Sequence, residues 1–197
     1  VNLPMRYSED FLNIGIQTDT HNIIFNKKKG LVSYNADGEE MIRLWPRPNF
    51  FRAATNNDVE NGYGNRYGKW MLASLYSSIE IKKVEKEETV CKVYYEYALP
   101  DLGDEKVKVK YTITGDGTIE VDMDYCPSPK YIEMPAFGMI FKFYPEYNKV
   151  DYFGLGPEEN HIDRNKGALL GAYSYNVKEN VTPYLYPQEC GNRTGVQ

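Results

Sequence analysis

Cysteine and histidine are scarce in this chain, and both shortages restrict its chemistry. The cysteines are Cys91, Cys126 and Cys190, and the histidines are His21 and His161. An odd, widely spaced set with no C-x-x-C pair supports neither a disulfide framework nor a zinc site with closely spaced ligands. The three read as ordinary part-buried thiols, and they leave the redox compartment undetermined. No apolar run approaches the ~18 residues of a membrane helix. No block of lysine or arginine is present, and net charge is −5. Such a chain lacks the basic patch from which nucleic-acid and anionic-membrane binding draws its affinity. The start, Val1-Asn2-Leu3-Pro4-Met5-Arg6, carries neither an initiator methionine nor a signal peptide, so the chain reads as an excised piece. Membrane, disordered and nucleic-acid classes are excluded as expectations.

What remains has the hydrophobic content, 42% of 197 residues, to bury a proper core. Its dominant period is two. Val107, Val109, Tyr111 and Ile113 alternate with Lys106, Lys108, Lys110 and Thr112. After Gly115-Asp116-Gly117, Ile119, Val121, Met123 and Tyr125 alternate with Thr118, Glu120, Asp122 and Asp124. This predicts a hairpin with one apolar face, its other face setting lysines against carboxylates. Further strands are predicted at Leu12–Ile16, Ile23–Phe25, Leu31–Tyr34, Ile79–Ile81, Cys91–Tyr97 and Met139–Phe143, separated by turn clusters such as Asn35-Ala36-Asp37-Gly38. Arg66–Leu75 reads as a short helix through Trp70, Met71 and Leu75. Short spacings between strands point to antiparallel meanders rather than βαβ units. No repeat, low-complexity tract or linker interrupts them, which predicts one all-β domain over 1–197. Eighteen tyrosines invite thoughts of sugar stacking, but strand propensity and amphipathic burial account for them first.

Two regions break the strand rhythm. Pro46–Asp58 ends in short polar side chains that can bind neighbouring backbone, and Arg52 can pair with a carboxylate inside that loop. Tyr152–Arg164 contains Gly154-x-Gly156, which Pro157 disqualifies as a nucleotide fingerprint. Glu158 and Glu159 are adjacent, whereas a retaining glycosidase sets two carboxyl groups ~5–5.5 Å apart across the scissile bond. His161 beside Asp163 is a possible acid/base dyad whose plainer reading is structural. Asn180-Val181-Thr182 and Asn192-Arg193-Thr194 fit a glycosylation sequon too short to inform by itself. These residues reach a soluble all-β domain with two shaped loops. They do not reach a reaction.

Three segments together resemble one family. Phe51-Arg52-Ala53-Ala54-Thr55-Asn56-Asn57-Asp58 is similar to the arginine-alanine-proline-x-aspartate-asparagine-aspartate segment in the C-terminal domain of large bacterial β-galactosidases, glycoside hydrolase family 2. Gly154-Leu155-Gly156-Pro157-Glu158-Glu159-Asn160-x-x-Asp163-Arg164 resembles that domain's glycine-leucine-glycine-proline loop. Thr182-Pro183-Tyr184-x-x-Pro187-Gln188-Glu189-x-Gly191-Asn192-Arg193 resembles its later proline-glutamine-glutamate loop, and Pro135–Met139 agrees more weakly. Ala54 stands where proline is usual, Asn56 where aspartate is, His161 where tyrosine is, and Gln197 where arginine is.

The resemblance implies an antiparallel β-supersandwich similar to galactose mutarotase. It implies a parent enzyme hydrolysing terminal β-galactosides with retention, through two glutamates of a separate TIM barrel upstream of Val1. The domain then continues beyond Gln197 to an active-site tryptophan that neither Trp45 nor Trp70 matches. This chain is thus expected to be an accessory piece, incomplete at its C-terminal end and inactive alone, that helps wall the active-site cleft and supports assembly. Its partners would be the parent's remaining domains, with the galactoside bound only by the intact enzyme and self-association of the piece alone. A bacterial cytoplasm or periplasm is implied. The resemblance leaves Mg, Na and Ca open for the parent and assigns no metal, cofactor or catalytic residue to this chain. Arg52, Asn57, Asp58, Gly154, Gly156, Pro157, Glu158, Asn160, Asp163, Arg164, Pro187, Glu189 and Arg193 are its expected loop-forming residues. A free-standing carbohydrate-binding module is the alternative function. A mutarotase-like epimerase would need a placed histidine base and carboxylate acid, which the two histidines do not match.

Overall fold

The computed structural model describes residues 3–131 and 133–197. They belong to two compact units, Val1–Phe51 with Asn65–Tyr144, and Arg52–Gly64 with Pro145–Gln197.

The first unit opens with an antiparallel meander of five strands: β1 (Arg6–Glu9), β2 (Asn13–Gln17), β3 (His21–Asn26), β4 (Gly30–Ala36) and β5 (Glu39–Glu40). Strand β6 (Ile42–Asn49) follows; the chain then forms helix α1 (Asn56–Glu60), which belongs to the second unit, and helix α2 (Tyr63–Tyr76), which lies in the first from Asn65 onward. A second antiparallel sheet has the order β10-β9-β8-β7, built from β7 (Ser78–Lys86), β8 (Val90–Ala98), β9 (Lys106–Thr114) and β10 (Ile119–Asp124). Strand β11 (Gly138–Phe143) pairs with β6. The all-β antiparallel sandwich expected from the period-two pattern is what forms.

The pattern also sets which side chains go inside. Cys91, Val93, Tyr95 and Tyr97 of β8, and Val107, Val109, Tyr111 and Ile113 of β9, are buried, while their neighbours are not. They meet Ile14, Ile16, Ile23 and Phe25 of the first sheet in one core. The Phe25 ring lies 5.1 Å from Tyr111, edge to face. Buried tyrosines keep a polar handle: the Tyr95 hydroxyl donates to the Asn26 carbonyl at 3.0 Å. The β9–β10 hairpin has the expected register, with Lys110 opposite Asp122 and Lys108 opposite Asp124. Its turn is closed by Asp116, whose Oδ1 accepts from the Thr114 hydroxyl at 2.6 Å and the Thr118 amide at 3.0 Å. Gly117 there has φ +87°, a conformation that disfavours any side chain.

Helix α2 contains the expected Arg66–Leu75 stretch, starting three residues earlier and ending one later. Trp70 and Ala73 are its fully buried positions. The Trp70 ring packs 5.7 Å from Phe50 and 6.4 Å from Tyr125, and its Nε1 donates to the Glu133 carbonyl at 2.7 Å. Ser74 Oγ accepts from the Phe50 amide at 2.8 Å and donates to the Trp70 carbonyl at 2.7 Å.

Two expected irregular stretches are partly strand. Pro46–Asn49 lies in β6 despite two prolines. The strand takes three steps from Leu44 to Arg47 against two from Lys142 to Ile140, so Pro46 falls in a bulge where the ladder is already interrupted. In the second unit, Tyr152–Gly156 lies in β12 (Lys149–Gly156), which pairs residue for residue with β13 (Leu169–Asn176). Glycines at 154, 156 and 171 disguised these strands. Aromatic rings fold over the spaces they leave: a Cβ on Gly156 would meet the Tyr152 hydroxyl, and the Tyr173 ring at 2.8 Å. Along β12, the Leu155 amide donates to Thr194 at 3.0 Å and the Gln197 amide to Phe153 at 2.9 Å. Among the described residues no helix is long and apolar enough to cross a membrane.

Candidate functional site

From Arg52 onward, all three family-like segments fall in the second unit. Their side chains engage one another, and two charged centres organise them.

The first centre is Arg52. Its Nη1 donates to Asp58 Oδ2 at 2.7 Å and to the Ala53 carbonyl at 2.9 Å, and lies 3.3 Å from Glu189 Oε2. Asp58 is also the partner of a capping box. Its Oδ2 accepts from the Thr55 amide at 2.8 Å, while its own amide donates to Thr55 Oγ1 at 3.4 Å. That reciprocity starts α1 at Asn56. Burial raises the Asp58 pKa, but hydrogen bonds from Arg52 and Thr55 outweigh it and leave the pKa below the usual carboxylate range. The Glu189 amide donates to Ala54 at 3.1 Å, and the Asn56 amide donates to Gln188 at 3.2 Å, joining this loop to Pro187–Glu189. Asn57 and Pro187 are exposed, and the Asn57 carbonyl accepts from Asn61 Nδ2 at 2.8 Å.

The second centre is Glu159, whose side chain is 8% exposed. Its Oε2 accepts from the Thr182 hydroxyl at 2.6 Å and the Gly191 amide at 2.7 Å. Its Oε1 accepts from the Arg164 guanidinium at 2.9 Å and from the Tyr184 hydroxyl. Burial alone would raise its pKa. The donors, led by Thr182, Tyr184 and Gly191 with the Arg164 charge behind them, reverse that and hold it at about 2. Glu158, the neighbour singled out in the sequence, is exposed and contributes its carbonyl, which accepts from Asn160 Nδ2 at 3.2 Å.

Asn160, 2% exposed, ties the glycine loop to the segment around Thr194. Its Nδ2 donates to the Leu155 carbonyl at 2.8 Å, its Oδ1 accepts from the Thr194 amide at 2.9 Å, and its backbone pairs with Asn192 at 2.9 Å. Gly154 and Gly156 are buried in β12, Pro157 is exposed after a cis peptide bond, and Arg193 lies over the Tyr175 ring at 5.3 Å while donating to the Tyr152 hydroxyl at 3.0 Å. Both sequon asparagines use their amides inside this framework, Asn180 on the Gly191 carbonyl at 3.1 Å and Asn192 on the Asn160 carbonyl at 2.9 Å.

Asp163 is exposed. The group His161 approaches is Glu159, with Nε2 at 3.9 Å from Oε1. The arrangement therefore braces loops. A carboxylate held ionised at about 2 cannot donate a proton to a leaving group at neutral pH, and one with both oxygens engaged is a poor nucleophile. Among the described residues no group of three or more His, Cys, Asp and Glu side chains is arranged to hold a metal. Loss of the Arg52 side chain leaves Asp58 and Glu189 without their guanidinium partner, so Arg52→Ala is expected to cost about 1–3 kcal/mol. Thermal melting checks this, and an unchanged melt refutes the bracing role.

A family model described as β-galactosidase small chain matches residues 17–197. A β-galactosidase of Priestia megaterium is 38% identical over 175 residues, covering 88% of this chain and 17% of that protein. The Streptococcus thermophilus β-galactosidase is 35% identical over 198 residues, covering 100% and 19%. A β-galactosidase small subunit of Latilactobacillus sakei is 29% identical over 196 residues, covering 88% and 60%. The chain thus spans less than a fifth of the length of the first two relatives.

Proposed function

This chain belongs to the β-galactosidase small-chain family, and from that premise we propose that it is a noncatalytic accessory part of a retaining β-galactosidase. In this reading the catalytic glutamates belong to a separate barrel, and this chain helps wall the cleft and supports assembly. The observation that carries it is the state of Glu159: the best-enclosed carboxylate of the family-like loops is engaged by four donors from Arg164, Thr182, Tyr184 and Gly191. Such a carboxylate shapes a loop surface rather than performing glycosyl transfer. The two units are, in the same reading, parts of one supersandwich domain.

The test is complementation. The chain alone should not hydrolyse a nitrophenyl β-galactoside, and activity should appear when it is co-expressed with the remainder of a β-galactosidase. Turnover by the isolated chain, or full activity of the enzyme without it, would overturn the proposal. Lactose titrated to millimolar concentration should leave the spectrum of the isolated chain unmoved, which separates this reading from a carbohydrate-binding module.

The isolated chain is also expected to self-associate. Val181, Leu185 and Tyr186 are 67%, 90% and 67% exposed near its end. Exposed apolar groups in such a cluster favour association. Tyr184, from the same stretch, is held by Glu159. Sedimentation velocity reads the outcome, and a monomer at all concentrations contradicts it.

A further inference from the structure

A strand at the edge of a sheet offers unpaired backbone groups to any other chain, and proteins blunt such edges with charge, proline, bulges or brevity. The edges of the first unit are blunted in these ways. Strand β1 has four residues, Arg6 and Glu9 among them, and β5 has two. Strand β7 carries Glu80, Lys82, Lys83, Glu85 and Lys86, with a register shift between Ile81 and Lys83. Strand β10 alternates Glu120, Asp122 and Asp124, β6 contains Pro46 and Pro48, and the register of β11 shifts on both sides of Lys142. In the second unit, the outer side of β12 is taken by backbone pairings with Thr194 and Gln197. Strand β13 differs from all of these. Its eight residues contain no charge and no proline, and they pair with β12 without a register shift. Among the described residues no strand pairs with its other side. Leu169 and Leu170 are 71% and 64% exposed there, and Ala172, Ser174 and Asn176 are exposed too.

We propose that the free edge of β13 pairs antiparallel with β13 of a second copy of this chain, joining two β12–β13 hairpins into one four-stranded sheet. Charge argues for that occupant. A twofold axis perpendicular to the sheet keeps each side chain on its own face, so one residue lies opposite itself and the others pair at equal distances from it. A charged edge therefore repels its own copy. Centred on Asp122, β10 would oppose Asp122 to itself and Glu120 to Asp124. Strand β13 meets no such repulsion in any register, because it has no charge to oppose. Its two registers of greatest overlap centre on Ala172 and on Tyr173. In both, the small and exposed Ala172 sits on the axis or beside it, leaving the two backbones free to approach. Each copy has one such edge, so the pairing closes at a dimer. The proposal does not depend on the galactosidase reading.

Sedimentation velocity on the full chain should show a monomer–dimer equilibrium. Ala172→Lys sets two ammonium groups at or beside the axis and should weaken the dimer roughly tenfold. Ala172→Thr, neutral and suited to a strand, should leave it intact. Both variants should melt at the wild-type temperature, since position 172 is exposed. Hydrogen exchange locates the contact without any substitution. Raising the concentration of the wild-type chain should slow amides within Leu169–Asn176, and there only the alternate ones that face away from β12. If Ala172→Lys melts early, this exchange measurement decides. A monomeric wild type, the outcome for an edge that serves a different chain, would overturn the proposal. So would equal association of Ala172→Lys and wild type, or concentration-dependent protection found only outside β13. Association kept by Ala172→Lys but lost by Leu185→Lys would move the contact to the exposed stretch of Val181, Leu185 and Tyr186, and would overturn it as well.

Discussion

Replacing Glu159 by alanine should unfold the second unit's loop framework and cost about 3–5 kcal/mol, the range for removing one partner from a buried charge cluster. The loss is large because four donors, on Arg164, Thr182, Tyr184 and Gly191, are left facing a void. Glu159→Gln should fall between wild type and alanine. It keeps the shape but turns an NH2 group toward donors that need an acceptor. Hydrogen exchange at Gly191 and Thr194 amides is the readout, with acceleration expected in both variants. The same residue predicts acid sensitivity. Its pKa is lowered from the ordinary 4.5 to about 2, so its stabilisation is fully present above about 4.5 and is lost as pH falls through the interval toward 2. Wild type should therefore lose stability across that window more steeply than Glu159→Gln. Parallel acid profiles would refute the assignment.

The first unit should be equally sensitive at Trp70. Truncation to alanine removes the largest fully buried side chain and the donor on the Glu133 carbonyl, beside Phe50 and Tyr125. The expected cost is about 3–5 kcal/mol, equivalent to roughly 10 °C or more in melting temperature for a chain of this size. Trp70→Phe, which keeps most of the ring volume but not the donor, should recover the larger part. Differential scanning calorimetry measures both. A loss below about 1 kcal/mol for the alanine variant would mean that the site collapses around the cavity.

The β8, β9 and β10 strands were legible because one physical fact, burial of alternate side chains against the other sheet, writes itself into every second residue. Helix α2 was legible through Trp70. Strands β6, β12 and β13 were not. In β6 a bulge accommodates a proline, and in the other two glycine spaces are filled by tyrosines from neighbouring positions, so hydrophobic alternation is replaced by ring placement. The loop framework was legible as a set of residues and illegible as a hierarchy. Glu158 and Glu159 are the same letter side by side, and they are distinguished by Arg164 and by three donors arriving from 23 to 32 residues away in the chain. Capping of α1 by Thr55 and Asp58 was in reach of sequence reasoning, since the two stand three apart before the turn; the following Gly62 and Gly64 masked it.

The chain enters the second unit at Arg52, leaves it after Gly64, and returns to it at Pro145. A gene segment beginning at Pro145 would encode Glu189 without Arg52, and the glycine loop without the capped helix beside Gln188. The second unit therefore cannot be inherited, swapped or grafted as a continuous cassette. Recombination between related enzymes should find viable junctions outside Phe51–Tyr144 far more often than within it. A chimera joined at residue 145 should recover its fold only when residues 52–64 come from the same donor.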